Sequence, residues 1–178
     1  MEKKIKKELF SWAKSIGFAL IIVFICRQFI FVPVTVKGES MIPTLENNNR
    51  IVVSKTSSIQ RFDLIVFHAP DADKQYVKRV IGVPGDSIKM KDDILYVNGE
   101  PYKETYVNRE IKSNKITEDF TLHDIAGLSK VPKGHLFILG DNRLRSKDSR
   151  EFGLILEDSV VGEVKFRFYP FNEIDVTN

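Results

Sequence analysis

Sulfur and histidine are scarce in this chain. Its 178 residues hold one cysteine, Cys26, and three histidines, His68, His123 and His135. A lone cysteine excludes an intrachain disulfide and a cysteine-rich metal site, so the fold has to rest on its apolar core. The histidines show no metal-ligand spacing and no His-Glu-x-x-His occurs, so neither a metal nor a cofactor is expected. Asp71-Ala-Asp73 opens like a calcium loop, but no ligand set of the right length follows. The Gly-x-Ser-x-Gly turn of a hydrolase nucleophile elbow is missing as well. A Ser-His-Asp set remains compatible with the composition, although no histidine sits in a distinctive segment. There are no repeats and no low-complexity stretch.

Net charge is also small, and it is unevenly placed. Residues 1–14 carry Lys3, Lys4, Lys6, Lys7 and Lys14 against Glu2 and Glu8, a net of +3. The whole chain is +3, so residues 15–178 balance to zero. A nucleic-acid partner would require a basic patch on the folded part, and net charge gives it no support.

Behind the lysines lies the one long hydrophobic segment. Ser15–Cys26 is uncharged, Arg27-Gln28 interrupts, and Phe29–Val36 continues. A bilayer crossing takes roughly 20 helical residues. A cleavable leader needs small residues just past its core, and Arg27, Gln28, Phe29 and Ile30 stand there instead. Residues 15–33 are therefore expected to form a retained transmembrane helix, with Arg27 snorkelling to the far headgroups and Cys26 facing lipid or packed. The lysines of the basic tail, 1–14, place the N-terminus in the cytoplasm and the remainder, 34–178, outside. The competing reading, a buried amphipathic helix, fits poorly, because the first half is apolar all round.

From about residue 31 the pattern becomes short β-like runs. They are Val32–Lys37, Arg50–Ser54, Asp63–His68, Gln75–Gly82, Ser87–Met90, Ile94–Asn98, His135–Leu139 and Val160–Tyr169. The last alternates apolar and polar residues with one slip near Gly162, as a bulge would give. Asn98-Gly99 predicts a tight hairpin and Pro84-Gly85-Asp86 a turn. The fold class expected is mainly β, an antiparallel catalytic domain. Residues 103–133, polar and poor in apolar runs, are expected to form a peripheral excursion or lobe between two core strands.

Three segments can carry chemistry. In Gly38-Glu39-Ser40-Met41-Ile42-Pro43-Thr44-Leu45, a serine in a loop beside glycine can expose its hydroxyl next to free backbone N–H groups, as a nucleophile and its oxyanion hole require. Taken alone this is also an ordinary turn serine. In Tyr76–Asp86, strand alternation sets Lys78 between Tyr76 and Val80 and turns Arg79 to the other face. Burial lowers a lysine pKa, and a lysine near neutrality can act as a general base. An exposed strand lysine is the plainer alternative. Gly140–Gly153 is a long polar loop after a strand, in which Asp148 can pair with Arg150, Asp141 with Arg79 or Arg143, and Ser146 can orient a neutral Lys78.

Together, and in this order, the three segments resemble the type I signal peptidases, particularly the short form of Gram-positive bacteria. The likeness runs from the hydrophobic segment to about Phe171, and it implies that residues 103–133 form part of a small variable lobe. It implies Ser40 as nucleophile and Lys78 as general base. Ser146, Asp148, Arg150, Asp141 and Arg79 would support the site, and Val36 and Val77 would line a shallow pocket for small side chains. The partners implied are exported preproteins bearing signal peptides, met at the lipid surface, where Phe29, Phe31, Val32, Met41 and Ile42 would dip. One departure matters: some relatives carry a serine two residues before the nucleophile, where this chain has Gly38. The oxyanion hole then depends on backbone, chiefly the Ser40 N–H. Self-cleaving repressors share the Ser-Lys chemistry but need a DNA-binding domain where this chain has its hydrophobic segment. An inactive membrane-tethered scaffold is disfavoured by the intact Ser40 and Lys78.

Overall fold

The computed structural model describes residues 2–109 and 115–176. The side chains of residues 2–5, 7 and 25–28 also lie outside the description, and with them the expectations for Lys3, Lys4, Lys7, Cys26 and Arg27. Helix α1 spans Glu2–Phe29. Phe10, Trp12, Phe18, Leu20, Val23 and Phe24 are each more than half exposed on it, pointing to several sides. No helix among the described residues is long and apolar enough to cross a membrane.

The remainder is antiparallel β-structure in two sheets. The larger contains β1 (Phe31–Thr35), β2 (Arg50–Ser54), β3 (Leu64–His68) and β4 (Gln75–Gly82). The smaller is built from β5 (Ile88–Lys91), β6 (Ile94–Val97), β7 (Glu100–Tyr102) and β8 (Phe120–Thr121). A short helix, α2 (Leu122–Ala126), follows, capped by the Thr121 hydroxyl and closed by Gly127. The chain then returns to the large sheet through β9 (His135–Leu139), the single-turn α3 (Ser149–Phe152), β10 (Ile155–Leu156), β11 (Val160–Tyr169) and β12 (Asp175–Val176).

The large sheet runs β1-β2-β11-β3-β4-β9-β10, with β12 beside β11. All eight expected strands are present, to within two residues at each end. The phase slip at Gly162 is a register shift between Val160 and Gly162 against β3. Asn98 and Gly99 have φ of 55° and 86°, and Val97 pairs Glu100, which is a two-residue hairpin loop. The β5–β6 loop has the same form with Asp92 and Asp93 at positive φ. The Asp93 carboxylate accepts from the Ile116 and Thr117 amides, which ties down the far side of the small sheet. Asp86 fixes the turn after β4. It accepts from Val83 N, from Asn98 Nδ2 and from the Arg61 guanidinium, so one carboxylate joins the turn to the small-sheet hairpin.

The core follows the period-2 alternation. Leu64 and Val66 pack with Val36, Met41, Leu45, Ile51, Val53 and Val164 on one face of the large sheet. Ile65 and Phe67 pack with Val80, Leu136, Ile138 and Ile155 on the other. A third cluster, with Ile81, Phe137 and Leu139 against Met90, Leu95, Val97 and Phe120, joins the two sheets. Met41, expected at the lipid surface, is buried in the first of these, because the loop that carries Ser40 folds inward over the sheet.

The small sheet begins at Ile88 and so includes strands that precede residue 103. Within 103–133 several positions are buried, among them Glu104, Val107, Ile116, Thr117, Leu122 and Val131. Phe120, Leu122 and Val131 join the core between the two sheets, while most other described positions of this stretch are exposed or half-buried. Residues 110–114 of it lie outside the described residues.

Candidate active site

Ser40 stands in the loop between β1 and β2. Gly38, with φ of 91°, begins the loop, and its N–H donates to Asn47 Oδ1. Ile42 N donates to Glu39 O and Leu45 N to Met41 O, so the chain curls tightly around Ser40. Met41 and Leu45 plug the core beneath and lock the curl. The Ser40 N–H donates to no acceptor among the described residues, whereas its carbonyl accepts from Asn142 N. That leaves one backbone donor beside the hydroxyl for an anionic oxygen.

Lys78 lies on β4 opposite Ile65 of β3. It is 3% exposed, and its Nζ donates to Ser40 Oγ at 2.7 Å and to Val77 O at 2.9 Å. Burial lowers its pKa from 10.5 to about 8, while the negative charges of Asp148 and Asp141 pull it back up. The Tyr76 ring, 5.3 Å from Nζ, contributes to the apolar wall. An amine at this pKa is neutral in a useful fraction of molecules near neutral pH. In the neutral form the bond can reverse, with the serine hydroxyl donating to the amine lone pair.

The loop Gly140–Gly153 closes the site from behind. Arg79, on the opposite face of β4 from Lys78, grips Asp141 through Nε (2.9 Å) and Nη2 (2.8 Å), and both side chains are buried. Thr44 Oγ1 also donates to Asp141, which fastens the Ser40 loop to the same carboxylate. Asp148 caps α3, accepts from Gly140 N at 2.9 Å, and pairs with Arg150 through both oxygens. Asn142 Nδ2 donates to Glu39 O. Of the two partners open to Asp141 on sequence grounds, the structure selects Arg79. Arg143 turns to Glu104 instead.

Ser146 is in place, but its expected hydrogen bond to Lys78 is not formed. Its Oγ is buried and has no partner, because the ammonium reaches Ser40 and Val77 O instead. Ser146 packs on Gly140 closely enough that a Cβ at position 140 would lie 2.1 Å from Oγ and 2.5 Å from the Ser40 carbonyl oxygen. Only glycine lets the Ser40 loop and the Gly140–Gly153 loop approach this closely.

A cleft of about 490 Å³ opens in front of the pair. Val36, Val77, Met41 and Val66 give it an apolar floor beside Ser40 and Lys78. Its walls are the ends of β1 and β4, which have three strands between them in the sheet, so the sheet coils to bring them face to face. β1 pairs only with β2, and β4 pairs with β9 only from Arg79 onward. Apart from Val77 O, which accepts from Lys78 Nζ, residues 75–78 and the outer edge of β1 therefore leave backbone without a further strand partner beside the cleft, among the described residues. Sequence reasoning missed Thr44, Glu104, Tyr106 and Asn142. The first and last lie in segments already singled out, whereas Glu104 and Tyr106 carried no local signal.

A β-fold that buries a lysine amine against a serine hydroxyl has an arrangement in common with one class, the hydrolases whose base is not histidine. Comparison with known proteins narrows that class. The sequence model described as signal peptidase, peptidase S26, matches residues 9–169. Signal peptidase IB of Staphylococcus aureus is 48% identical over 94% of this chain and 93% of its own length. Signal peptidase I of Bacillus caldolyticus is 47% identical over 87% and 88%. The crystal structure of a signal peptidase I from Enterococcus faecalis superposes with a TM-score of 0.56 at 41% identity, covering 60% of this chain and 97% of that one. The chain belongs to the signal peptidase S26 family, a family of serine endopeptidases.

Proposed function

We propose that this chain is a membrane-anchored endopeptidase that removes signal peptides from exported preproteins with a Ser40–Lys78 dyad, cutting after small residues. The observation that carries the reading is the 2.7 Å contact between Ser40 Oγ and a lysine amine held at a pKa of about 8 on the floor of an open cleft.

Neutral Lys78 takes the Ser40 proton as Oγ attacks the scissile carbonyl. The oxyanion is met by the Ser40 N–H. Lys78 then returns the proton to the leaving amine and the acyl-enzyme remains. Water, deprotonated by Lys78, attacks the ester, and the proton passes back to Ser40 as the acid product leaves. On this mechanism the Ser146 hydroxyl, buried and without a partner, accepts an N–H from Lys78 once the amine turns its lone pair to Ser40. Asp141–Arg79 and Asp148–Arg150 hold the loops from which Ser40 and Ser146 project.

An extended peptide fits between the open edges of β1 and β4, adding main-chain hydrogen bonds to each. Val36 and Val77, both lining the cleft, leave room for small side chains next to the scissile bond. The anchor reading is supported by α1, whose apolar side chains from Leu9 to Phe24 no protein surface covers. Its 28 residues measure about 42 Å along the axis. Phe29 and Phe31 are exposed where α1 meets β1, close to the cleft. The basic tail then lies in the cytoplasm, residues 34–178 outside, and 103–133 form part of the second lobe.

Two experiments test this. Mass analysis of a preprotein incubated with the full chain should show one cut after a small residue at the end of the signal peptide; cutting elsewhere, or none, refutes the substrate class. Flotation with neutral lipid vesicles should carry the full chain to the lipid layer; recovery in the bottom fraction refutes the anchor.

A further inference from the structure

The motif segments do not contain every buried charge near the dyad. Glu104, from the segment after β7, is buried and unrelated in sequence to the three segments that carry the family resemblance. Its carboxylate receives both terminal nitrogens of Arg143, Nη1 to Oε2 at 3.1 Å and Nη2 to Oε1 at 2.5 Å, and each side chain is 1% exposed. The Tyr106 hydroxyl donates to the same Oε1 at 2.9 Å. The Tyr106 ring lies 4.0 Å beneath the Arg79 guanidinium, which itself holds Asp141. Arg143 turns its remaining nitrogen, Nε, to the carbonyl of Gly140 at 3.0 Å.

Gly140 is the point at which these bonds converge. Arg143 holds its carbonyl and Asp148 holds its N–H, on opposite sides of one residue. Its bare Cα is the surface against which Ser146 Oγ and the Ser40 carbonyl oxygen pack. A small displacement of Gly140 therefore moves the nucleophile and the serine beside it together.

We propose that Glu104 is a positioning residue for the dyad, acting through Arg143 to fix Gly140 and thereby the approach of Ser40 to Lys78. The second lobe then contributes a required part of the cutting centre. A guanidinium with a planar fork can be aimed in this way only if both of its free nitrogens are held, which is what a carboxylate does and an amide does incompletely. The inference rests on the dyad reading above.

The test compares parent, Glu104→Gln, Glu104→Asp and the double variant Glu104→Gln/Arg143→Gln, each as the full chain in detergent, on one preprotein. Rates are taken per active site, and unfolding midpoints are recorded alongside. Glu104→Gln should lower kcat about tenfold with KM within about twofold, as expected for misplaced reacting groups. The double variant removes the stranded charge and should recover the unfolding midpoint without recovering kcat. A merely structural carboxylate gives the reverse: kcat per active site equal to the parent in Glu104→Gln, or kcat restored with stability in the double variant. Either result overturns the proposal. Should Glu104→Gln fail to fold, Glu104→Asp decides: lower kcat at unchanged KM supports positioning, and parental kcat refutes it. A Ser40→Ala control that still cleaves would sink the dyad reading separately, whatever the Glu104 variants do.

Discussion

Replacing Lys78 with methionine should make the protein more stable while abolishing its activity. The amine has a pKa of 10.5 when free and about 8 in its site, chiefly because it is buried. At 1.36 kcal/mol per pKa unit, holding the charged form there costs about 3 kcal/mol. Because the side chain is 3% exposed, solvent screening takes little from that figure. The sign follows from proton counting. Between about pH 8 and 10.5 the unfolded chain binds the proton and the native site does not, so this group makes stability rise with pH over that window. Below pH 8 both states are protonated and the native state carries the full cost. Methionine fills a similar volume without a charge but forfeits the bond to Ser40, worth about 1 kcal/mol. Lys78→Met should therefore gain about 2 kcal/mol at pH 6, lose that gain as pH rises from about 8 towards 10, and be about 1 kcal/mol less stable than the parent at pH 10.5, where only the lost bond remains. Urea unfolding in detergent at several pH values reads this directly. A variant less stable than the parent at pH 6, or a gain independent of pH, would refute the burial argument.

On the proposed mechanism the same pKa governs turnover. At pH 7 about a tenth of the molecules hold Lys78 neutral, against roughly three in ten thousand for an unburied lysine. kcat/KM should rise close to tenfold from pH 6 to 7 and level off above about pH 8; a flat profile from pH 5 to 9 contradicts it. Gly140→Ala forces a methyl group into Ser146 Oγ and the Ser40 carbonyl, and preprotein cleavage should fall about 100-fold or more. Parental turnover would show that the loop yields. Asp141→Asn strands the buried Arg79 charge and should cost about 3–5 kcal/mol in urea unfolding, with a cost below 1 kcal/mol meaning that Thr44 and Tyr106 suffice.

How far the sequence foretold this structure depended on the range of the interactions. Arg50–Ser54, Gln75–Gly82 and His135–Leu139 were legible because apolar runs bounded by turn residues form strands wherever they pair. Asn98-Gly99 announced its hairpin locally. β7 was hidden by Pro101 and by its three-residue length, and β8 by having only two residues. The β5–β6 turn uses Asp92 and Asp93 at positive φ, where glycine or asparagine would have advertised it. α2 was overlooked although Thr121 and Asp124 form a capping box that the sequence spells out. Ser40 and Lys78 were recognisable only because their segments resemble a family; strand alternation alone gave Lys78 an apolar flank. Glu104 sits in a polar stretch that reads as solvated, and its partner Arg143 lies 39 residues away. No local pattern reports such a pair, and the bond expected between Ser146 and Lys78 likewise depended on a rotamer that composition does not specify.

The central claim is that Ser40 attacks and Lys78 takes its proton. One assay reaches it directly: cleavage of a purified preprotein by the full chain in detergent at pH 8, beside Ser40→Ala and Lys78→Met, with folding of both variants verified. The account predicts a single cut by the parent and none by either variant. Undiminished cutting by Lys78→Met would mean that another group is the base, and undiminished cutting by Ser40→Ala would contradict the account outright.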